Sequence, residues 1–189
     1  MSVFLFNLEF MAFNLFLALI PVAFGYLMLK AKNVKLKALY GFIWFIFLPN
    51  TAYILLDLIH FYDQWPKVNY LFKPILISQY IVFILTGVIT FIYAVYFFEK
   101  LLSGKKGRKF DIFAILFILN FIIGFGVILG FTQRTNSWYI FSQPVRVLED
   151  TLTLFYFPNL IIGSLAFGIL ANILYFYFSK PIISIFRGR

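Results

Sequence analysis

Cysteine is absent from this chain of 189 residues, histidine occurs once, and only seven residues are acidic. Without a thiol the chain can form no disulfide, no thiolate nucleophile and no cysteine-ligated metal site. No serine lies in a recognisable nucleophile elbow, and no glycine-rich phosphate-binding loop is present. The chain therefore lacks the sequence signatures of the common enzyme classes.

Charge of either sign is also scarce, at 12% of the residues, whereas 63% are hydrophobic. The mean hydropathy is +0.95. Phenylalanine alone accounts for 28 residues and tyrosine for 12. A water-soluble domain has no need for so much apolar surface, so the composition indicates a protein embedded in a bilayer.

Five apolar stretches are long enough to cross roughly 30 Å of hydrocarbon as helices. We predict one all-α domain over residues 1–189, a polytopic membrane helix bundle. The first stretch lacks a charged leader and a cleavage site, so we expect it to stay as a membrane helix. We keep the fifth as one helix through Pro158, because its C-terminal part alone is borderline in length; a six-crossing bundle is the alternative. The predicted helices span about 3–29, 38–59, 71–98, 112–131 and 148–178.

Twelve of the sixteen lysines and arginines lie in three segments that five crossings place on one side. By the positive-inside rule this side is the cytoplasm, with the N-terminus outside and the C-terminus inside. The predicted location is a bacterial cytoplasmic membrane. The net charge of +9 comes mainly from these loop residues, which set the orientation in the membrane, so it does not indicate nucleic-acid binding. The segments contain Lys30, Lys32, Lys35 and Lys37, then Lys100, Lys105, Lys106, Arg108 and Lys109, and finally Lys180, Arg187 and Arg189.

A polar stripe interrupts the second stretch, in the sequence LPNTAYILLDLIH at 48–60. Its polar members are three or four residues apart, a spacing that places them on one helix face. An ionised aspartate in hydrocarbon costs a few kcal/mol, so Asp57 should face protein or a water-filled cleft. The simpler alternative is that Asp57 marks the headgroup level and that His60 is merely hydrated. The stripe consists of Asn50, Tyr53, Asp57 and His60.

The outer loop after the fourth stretch, GFTQRTNSWYIFSQPVR at 130–146, is the predicted partner of this stripe. The Arg134 guanidinium could pair with Asp57 or Glu149, or bind a phosphate or carboxylate in a bidentate way. We predict a charge pair between Arg134 and Asp57. Trp138 by itself is as readily an interfacial anchor. The polar residues of the loop are Arg134, Asn136, Ser137 and Trp138.

Arg146, Glu149 and Asp150 lie at the predicted start of the fifth helix. Acidic residues in the first turn of a helix interact favourably with its macrodipole. This interaction alone explains one of the two acids, and that acid then needs no role in binding. On the first helix, Asn14 is assigned to helix packing. Arg146, Glu149 and Asp150 complete a predicted binding site at the outer face, together with the stripe and the loop.

The stripe and the loop also resemble the two motifs of an uncharacterised membrane family, domain of unknown function 1361. That family typically reads Leu-Pro-Asn-Ala-Pro-Tyr followed by Thr-Asp, and later Leu-Gly-Arg-Phe-x-Arg-Trp-Asn-Ser-Trp-Asp. The resemblance covers about residues 38–178 and implies a polytopic membrane protein without naming an activity. The matching positions are Pro49, Asn50, Tyr53, Asp57, Gly130, Arg134, Asn136, Ser137 and Trp138. The departures are Ala52, Leu56, Phe131, Thr135 and Tyr139.

Three functions fit these residues. The first is a binding or accessory module whose outer site contacts a lipid headgroup, an anionic ligand or a membrane-protein partner. The second is an outer-leaflet hydrolase or transferase, with Asp57 and His60 as acid and base and Arg134 orienting a phosphate. The third is a facilitator or lipid scramblase, since no ionisable residue lies near the midplane as an ion-coupled carrier requires.

No cofactor or metal is predicted, and whether the protein is an enzyme stays open. A catalytic zinc needs three protein ligands. Asp57 and His60 supply two, so Glu149 or Asp150 would have to complete the set.

Overall fold

The computed structural model describes residues 3–104 and 108–187, without the side chains of residues 186 and 187. In these ranges all regular structure is helical, which confirms the all-α prediction. Lys105, Lys106 and Arg189 of the basic segments lie outside the described residues, as does the Arg187 side chain. The helices are Val3–Lys30 (α1), Val34–Phe47 (α2), Pro49–Tyr53 (α3), Leu58–Gln64 (α4), Lys73–Ser103 (α5), Lys109–Gln133 (α6), Tyr139–Ser142 (α7), Pro144–Tyr156 (α8) and Pro158–Arg187 (α9).

Among the described residues, five helical segments are long and apolar enough to cross a membrane, as the sequence predicts. Because neighbouring segments run in opposite directions, Lys30 at the end of α1 and Lys109 at the start of α6 mark one end of the bundle. We refer to the opposite end as the distal end. The five segments are Val3–Lys30, Val34–Lys67, Tyr70–Ser103, Lys109–Gln133 and Pro158–Ile185.

The second segment, predicted over residues 38–59, is interrupted in the structure. It breaks into α2, α3 and α4, because Pro49 has no backbone N–H to donate to the preceding turn. After α3 the chain continues through tight i→i+3 bonds, including Asp57 N–H to the Ile54 carbonyl at 3.2 Å. Two glycines on neighbouring helices allow this broken stretch to pack closely. A Cβ on Gly126 would lie 2.6 Å from the Pro49 ring, and a Cβ on Gly87 would lie 2.6 Å from the Ile54 side chain.

The prediction of a single fifth helix over residues 148–178 is wrong. The chain breaks at Phe157, whose backbone is extended at φ −117° and ψ 102°. The ring of a proline excludes the helical conformation from the residue before it, so Pro158 forces this break. The remaining helix, α9, has 30 residues and is long and apolar enough to cross a membrane without the preceding turns.

The separated helix α8 is amphipathic. Its apolar residues are exposed, with Val145 at 67% and Phe155 at 62%, whereas Leu154 is fully buried against the bundle. A helix with an exposed apolar face and a polar face is typical of a segment lying along a membrane interface.

Packing divides the bundle into two parts joined by α5. On one side α6 packs along α9, and on the other α1 packs along both α2 and α5. The short helix α3 contacts α1, α5 and α6, so the interrupted stretch lies in the middle of the bundle. In contrast, α2 and α6 have at most marginal contact.

Candidate functional site

A cavity of about 670 Å³ occupies the space between α1, the interrupted second segment, α6 and the loop after α6. This volume falls within the roughly 300–1,000 Å³ that is usual for small-molecule sites. Its wall is apolar over most of its area. The polar residues of the wall are Asn14, Asn50, Tyr53, Asp57, His60, Arg134, Thr135, Asn136 and Ser137.

All four residues of the predicted stripe line this one cavity. The break at Pro49 and the tight turns after α3 alter the helix but leave Asn50, Tyr53, Asp57 and His60 on a common side. The His60 ring lies against Phe10 of α1, with ring centroids 5.2 Å apart. No side-chain hydrogen bond joins His60 to Asp57 in the part of the chain that the structure describes.

Asp57 is only 3% exposed. Its Oδ2 accepts a hydrogen bond from the Asn14 amide at 2.7 Å, a contact between α1 and the second segment. Asn14 therefore makes a contact between helices, in agreement with its assignment to helix packing, and its partner is the buried carboxylate. Within the described residues no lysine, arginine or histidine nitrogen lies within 4 Å of this carboxylate.

Arg134 ends α6 in the left-handed conformation, with φ 55° and ψ 31°. It is the only residue other than glycine with a positive φ among those described. This conformation turns the chain sharply, so that the following residues run back across the cavity. The predicted charge pair between Arg134 and Asp57 is wrong, and so is a pair with Glu149: Arg134 forms no ion pair with any described residue. Both Arg134 and Asp57 nevertheless line the same cavity.

Residues 134–142 form a cover that three contacts fix to the helices on the far side of the cavity. The Asn50 amide donates to Ser137 Oγ at 2.8 Å and also to the Phe47 carbonyl freed by the break at 2.9 Å. The Trp138 ring packs edge-on against Phe13 of α1. Phe141 does the same against Phe42 of α2. The cover therefore links α6 to α1 and α2.

The predicted site residues on α8 do not line the cavity. Arg146 forms an ion pair with Asp150 at 3.6 Å and stacks over the Tyr139 ring at 4.7 Å. Asp150 also accepts a hydrogen bond from the Thr135 hydroxyl of the cover. Glu149 is exposed. These contacts anchor the cover to α8, whereas Val147 and Thr151 are the α8 residues that reach the cavity wall.

The candidate metal ligands Asp57, His60 and Glu149 do not come together in one site. Among residues 3–104 and 108–187, no three side chains of the histidine, cysteine, aspartate and glutamate types lie close enough together to hold a metal ion. Glu149 in particular lies outside the cavity that Asp57 and His60 share.

A buried amide cluster at the distal end was not predicted. Asn7 and Gln64 exchange two hydrogen bonds at 2.9 and 2.7 Å, which ties the start of α1 to the end of α4. Gln79 of α5 accepts a third bond from Asn7 at 3.3 Å. The signal in the sequence was the seven-residue spacing of Asn7 and Asn14, which puts both amides on one face of the first helix.

One sequence family matches most of the chain. The family described as "Protein of unknown function (DUF1361)" matches residues 13–174, which include the interrupted second segment, the cavity and its cover. No curated protein and no solved structure matches the chain. The motif residues Asn50, Asp57, Arg134 and Ser137 all lie on the cavity wall. Because the family match covers most of its length, the protein belongs to the DUF1361 family.

Proposed function

We propose that the protein is a membrane binding module that holds one amphiphile in this cavity, with a phosphate-bearing headgroup at the distal end and its hydrocarbon chain below. The observation that carries the proposal is a mostly apolar wall that also carries a group of polar and charged side chains. A lipid combines the same two chemistries, and a membrane offers such molecules at high local concentration.

On α2 and α6 the wall beyond the polar residues is apolar on the side toward Lys30 and Lys109, whereas on α1 apolar wall residues also lie toward the distal end. On α2, Phe42 and Phe45 precede the polar residue Asn50 by one to two turns, and on α6 Phe125 precedes Arg134 by more than two. Each buried methylene group contributes about 0.8 kcal/mol of transfer free energy from water. A hydrocarbon chain would therefore be held along these aromatic rings.

The hydrocarbon chain would enter from the side of the bundle. Phe42 and Phe45 line the cavity and are still 48% and 44% exposed, as is Ile122 on the facing helix at 45%. Since α2 and α6 hardly touch, the gap between them faces the surrounding lipid. A molecule of the bilayer can reach this gap without crossing water.

Arg134 supplies the site for the phosphate. Its guanidinium has no protein partner among the described residues and lies on the cavity wall. Guanidinium groups bind phosphate through two parallel hydrogen bonds. The Asn136 side chain lies two residues further on the same wall and offers additional donors.

Two alternatives have less support. An outer-leaflet hydrolase or transferase that uses Asp57 and His60 as a pair would benefit from a hydrogen bond between them, and the Asp57 carboxylate is instead bonded to Asn14. A facilitator or scramblase would need a polar path toward the basic end, where the cavity wall carries Phe42, Phe45 and Ile122.

The proposal includes an orientation, with the distal end outside a bacterial cytoplasmic membrane and the basic loops inside. Because the natural chain has no cysteine, single introduced cysteines report on it without background. In intact cells a membrane-impermeant maleimide is expected to label Tyr62→Cys, at an 80% exposed distal position. It should leave Ser103→Cys, at the exposed end of α5, unlabelled until the cells are broken. The reverse pattern would place the cavity on the cytoplasmic side.

Filling the cavity tests the function itself. Gly130 lies on the wall, and a Cβ there would meet nothing nearer than the Tyr53 ring at 3.7 Å. We expect a lipid to co-purify with the wild-type protein, and we expect the indole of Gly130→Trp to fill the cavity beside Tyr53 and to exclude that lipid. Native mass spectrometry of gently extracted protein measures this as the loss of a bound lipid mass.

Gly130→Ala is the matched control. Its methyl group fits at ordinary contact distance, so the alanine variant should retain the bound lipid. Equal occupancy in the tryptophan and alanine variants would show that the lipid binds elsewhere on the bundle.

A further inference from the structure

Two unpaired charges of opposite sign face the same cavity. From this geometry we infer that the headgroup is zwitterionic, with a primary ammonium group bound at Asp57 and a phosphate bound at Arg134. An ethanolamine phosphate has this chemistry. The inference rests on the proposed function, because it specifies the ligand of the same site.

The Asp57 carboxylate is the first observation. It is almost fully buried, and Asn14 is its one side-chain hydrogen-bond donor among the described residues. A carboxylate has room for about four hydrogen bonds. A buried charge without a partner is strongly unfavourable, so such groups are normally paired. The ligand can supply the missing cation.

Among the described residues, none offers a replacement for that cation. The polar neighbours on the cavity wall near Asp57 are Asn14, Tyr53 and His60, and none of them forms an ion pair with it. Lys73, on the neighbouring distal surface, lies instead over the Trp65 ring at 4.4 Å. Arg134, the one arginine or lysine on the cavity wall, is more than the 4 Å of an ion pair away.

Tyr53 lies near both charged residues. It precedes Asp57 by four residues on the same cavity wall, and its ring is 3.7 Å from the Cβ position of Gly130, which precedes Arg134 by four residues. A ligand whose positive and negative groups are joined by a short linker could therefore contact both. A headgroup with phosphate alone would leave Asp57 unpaired.

The type of amine also follows from the contacts. A primary ammonium group donates three hydrogen bonds, which suits a carboxylate with unused acceptor positions. A quaternary ammonium donates none and is recognised instead by aromatic rings. A serine headgroup would bring a second carboxylate toward Asp57 and be repelled. Ethanolamine is thus favoured over both choline and serine.

The test is a lipid titration of the purified full-length protein, monitored by native mass spectrometry. Phosphatidylethanolamine, phosphatidylglycerol and phosphatidylcholine with the same acyl chains are added separately. We expect the ethanolamine lipid to bind about tenfold more tightly than either of the others, as one hydrogen-bonded charge pair provides. Asp57→Asn should remove this preference by weakening the binding of the ethanolamine lipid. The matched control, Asp63→Asn, alters an exposed acid of α4 outside the cavity and should keep the preference.

The possible results separate the two proposals. If the glycerol lipid binds as well as the ethanolamine lipid or better, the zwitterion inference is overturned and the lipid site stands. If none of the three lipids binds at a site that Gly130→Trp blocks, the proposed function fails as well. Should Asp57→Asn not fold, the ranking of the three lipids on the wild-type protein still decides the inference. Competition by water-soluble phosphoethanolamine at comparable affinity would assign the site to a free headgroup compound rather than to a lipid.

Discussion

Replacing Arg134 by glycine is expected to abolish headgroup-dependent lipid binding and, at the same time, to make the fold more stable. Arginine holds a left-handed backbone conformation here, which costs a residue with a side chain roughly 1–2 kcal/mol and costs glycine almost nothing. The larger change is in binding, since loss of the guanidinium removes both of its hydrogen bonds to a phosphate. A decrease of about 100-fold in affinity is expected from two charge-assisted bonds.

The opposite signs of these effects make the test specific. Lipid affinity is measured by native mass spectrometry, and stability by the midpoint of thermal unfolding in detergent. Arg134→Lys, which keeps the charge and the strained backbone, should retain part of the affinity without the gain in stability. Backbone strain that persists in a folded protein often marks a functional residue, and the φ of 55° at Arg134 is strain of this kind. An Arg134→Gly protein that binds lipid normally would leave the strain without a role.

A second large effect is expected at the crossing of α6 and α9. A Cβ on Gly124 would lie 2.5 Å from both the Gly168 nitrogen and the Ser164 carbonyl oxygen. These are backbone atoms of α9, so the two helices would have to separate. Small residues at such crossings permit close backbone packing within membranes. We expect Gly124→Ala to destabilise the bundle by about 1–3 kcal/mol, as overpacking does in tight cores.

Gly163→Ala provides the comparison on the facing helix. Its added methyl group would come no closer than 3.6 Å to Ile128, an ordinary contact. Thermal unfolding in detergent should therefore show a clear decrease in midpoint for Gly124→Ala and little change for Gly163→Ala. Similar midpoints for both variants would mean that the crossing is looser than the structure shows.

The membrane bundle could be predicted from the sequence because hydrophobic length alone decides which segments cross a bilayer. The polar stripe could be placed on one face by its spacing, and it does line a single cavity. The length of the fifth apolar segment favoured one helix over residues 148–178, but Pro158 interrupts that helix. The proline restricts Phe157 directly, and that restriction was readable from the dipeptide.

The contacts inside the site could not be predicted in the same way. Asn14 and Asp57 are 43 residues apart, and no local pattern indicates that an amide of the first helix would reach the buried acid in place of Arg134. The direction of Arg134 depends on a left-handed backbone at the end of α6, which sequence favours for glycine rather than arginine. Which charges remain unpaired therefore became visible only in three dimensions.

The most direct test of the lipid-binding site is an experimental structure of the protein in a bilayer disc that contains phosphatidylethanolamine. The account predicts a headgroup in the cavity, with its phosphate at Arg134, its amine at Asp57 and a hydrocarbon chain along Phe42, Phe45 and Phe125. A cavity filled only with water, or closed by movement of α2 onto α6, would contradict it.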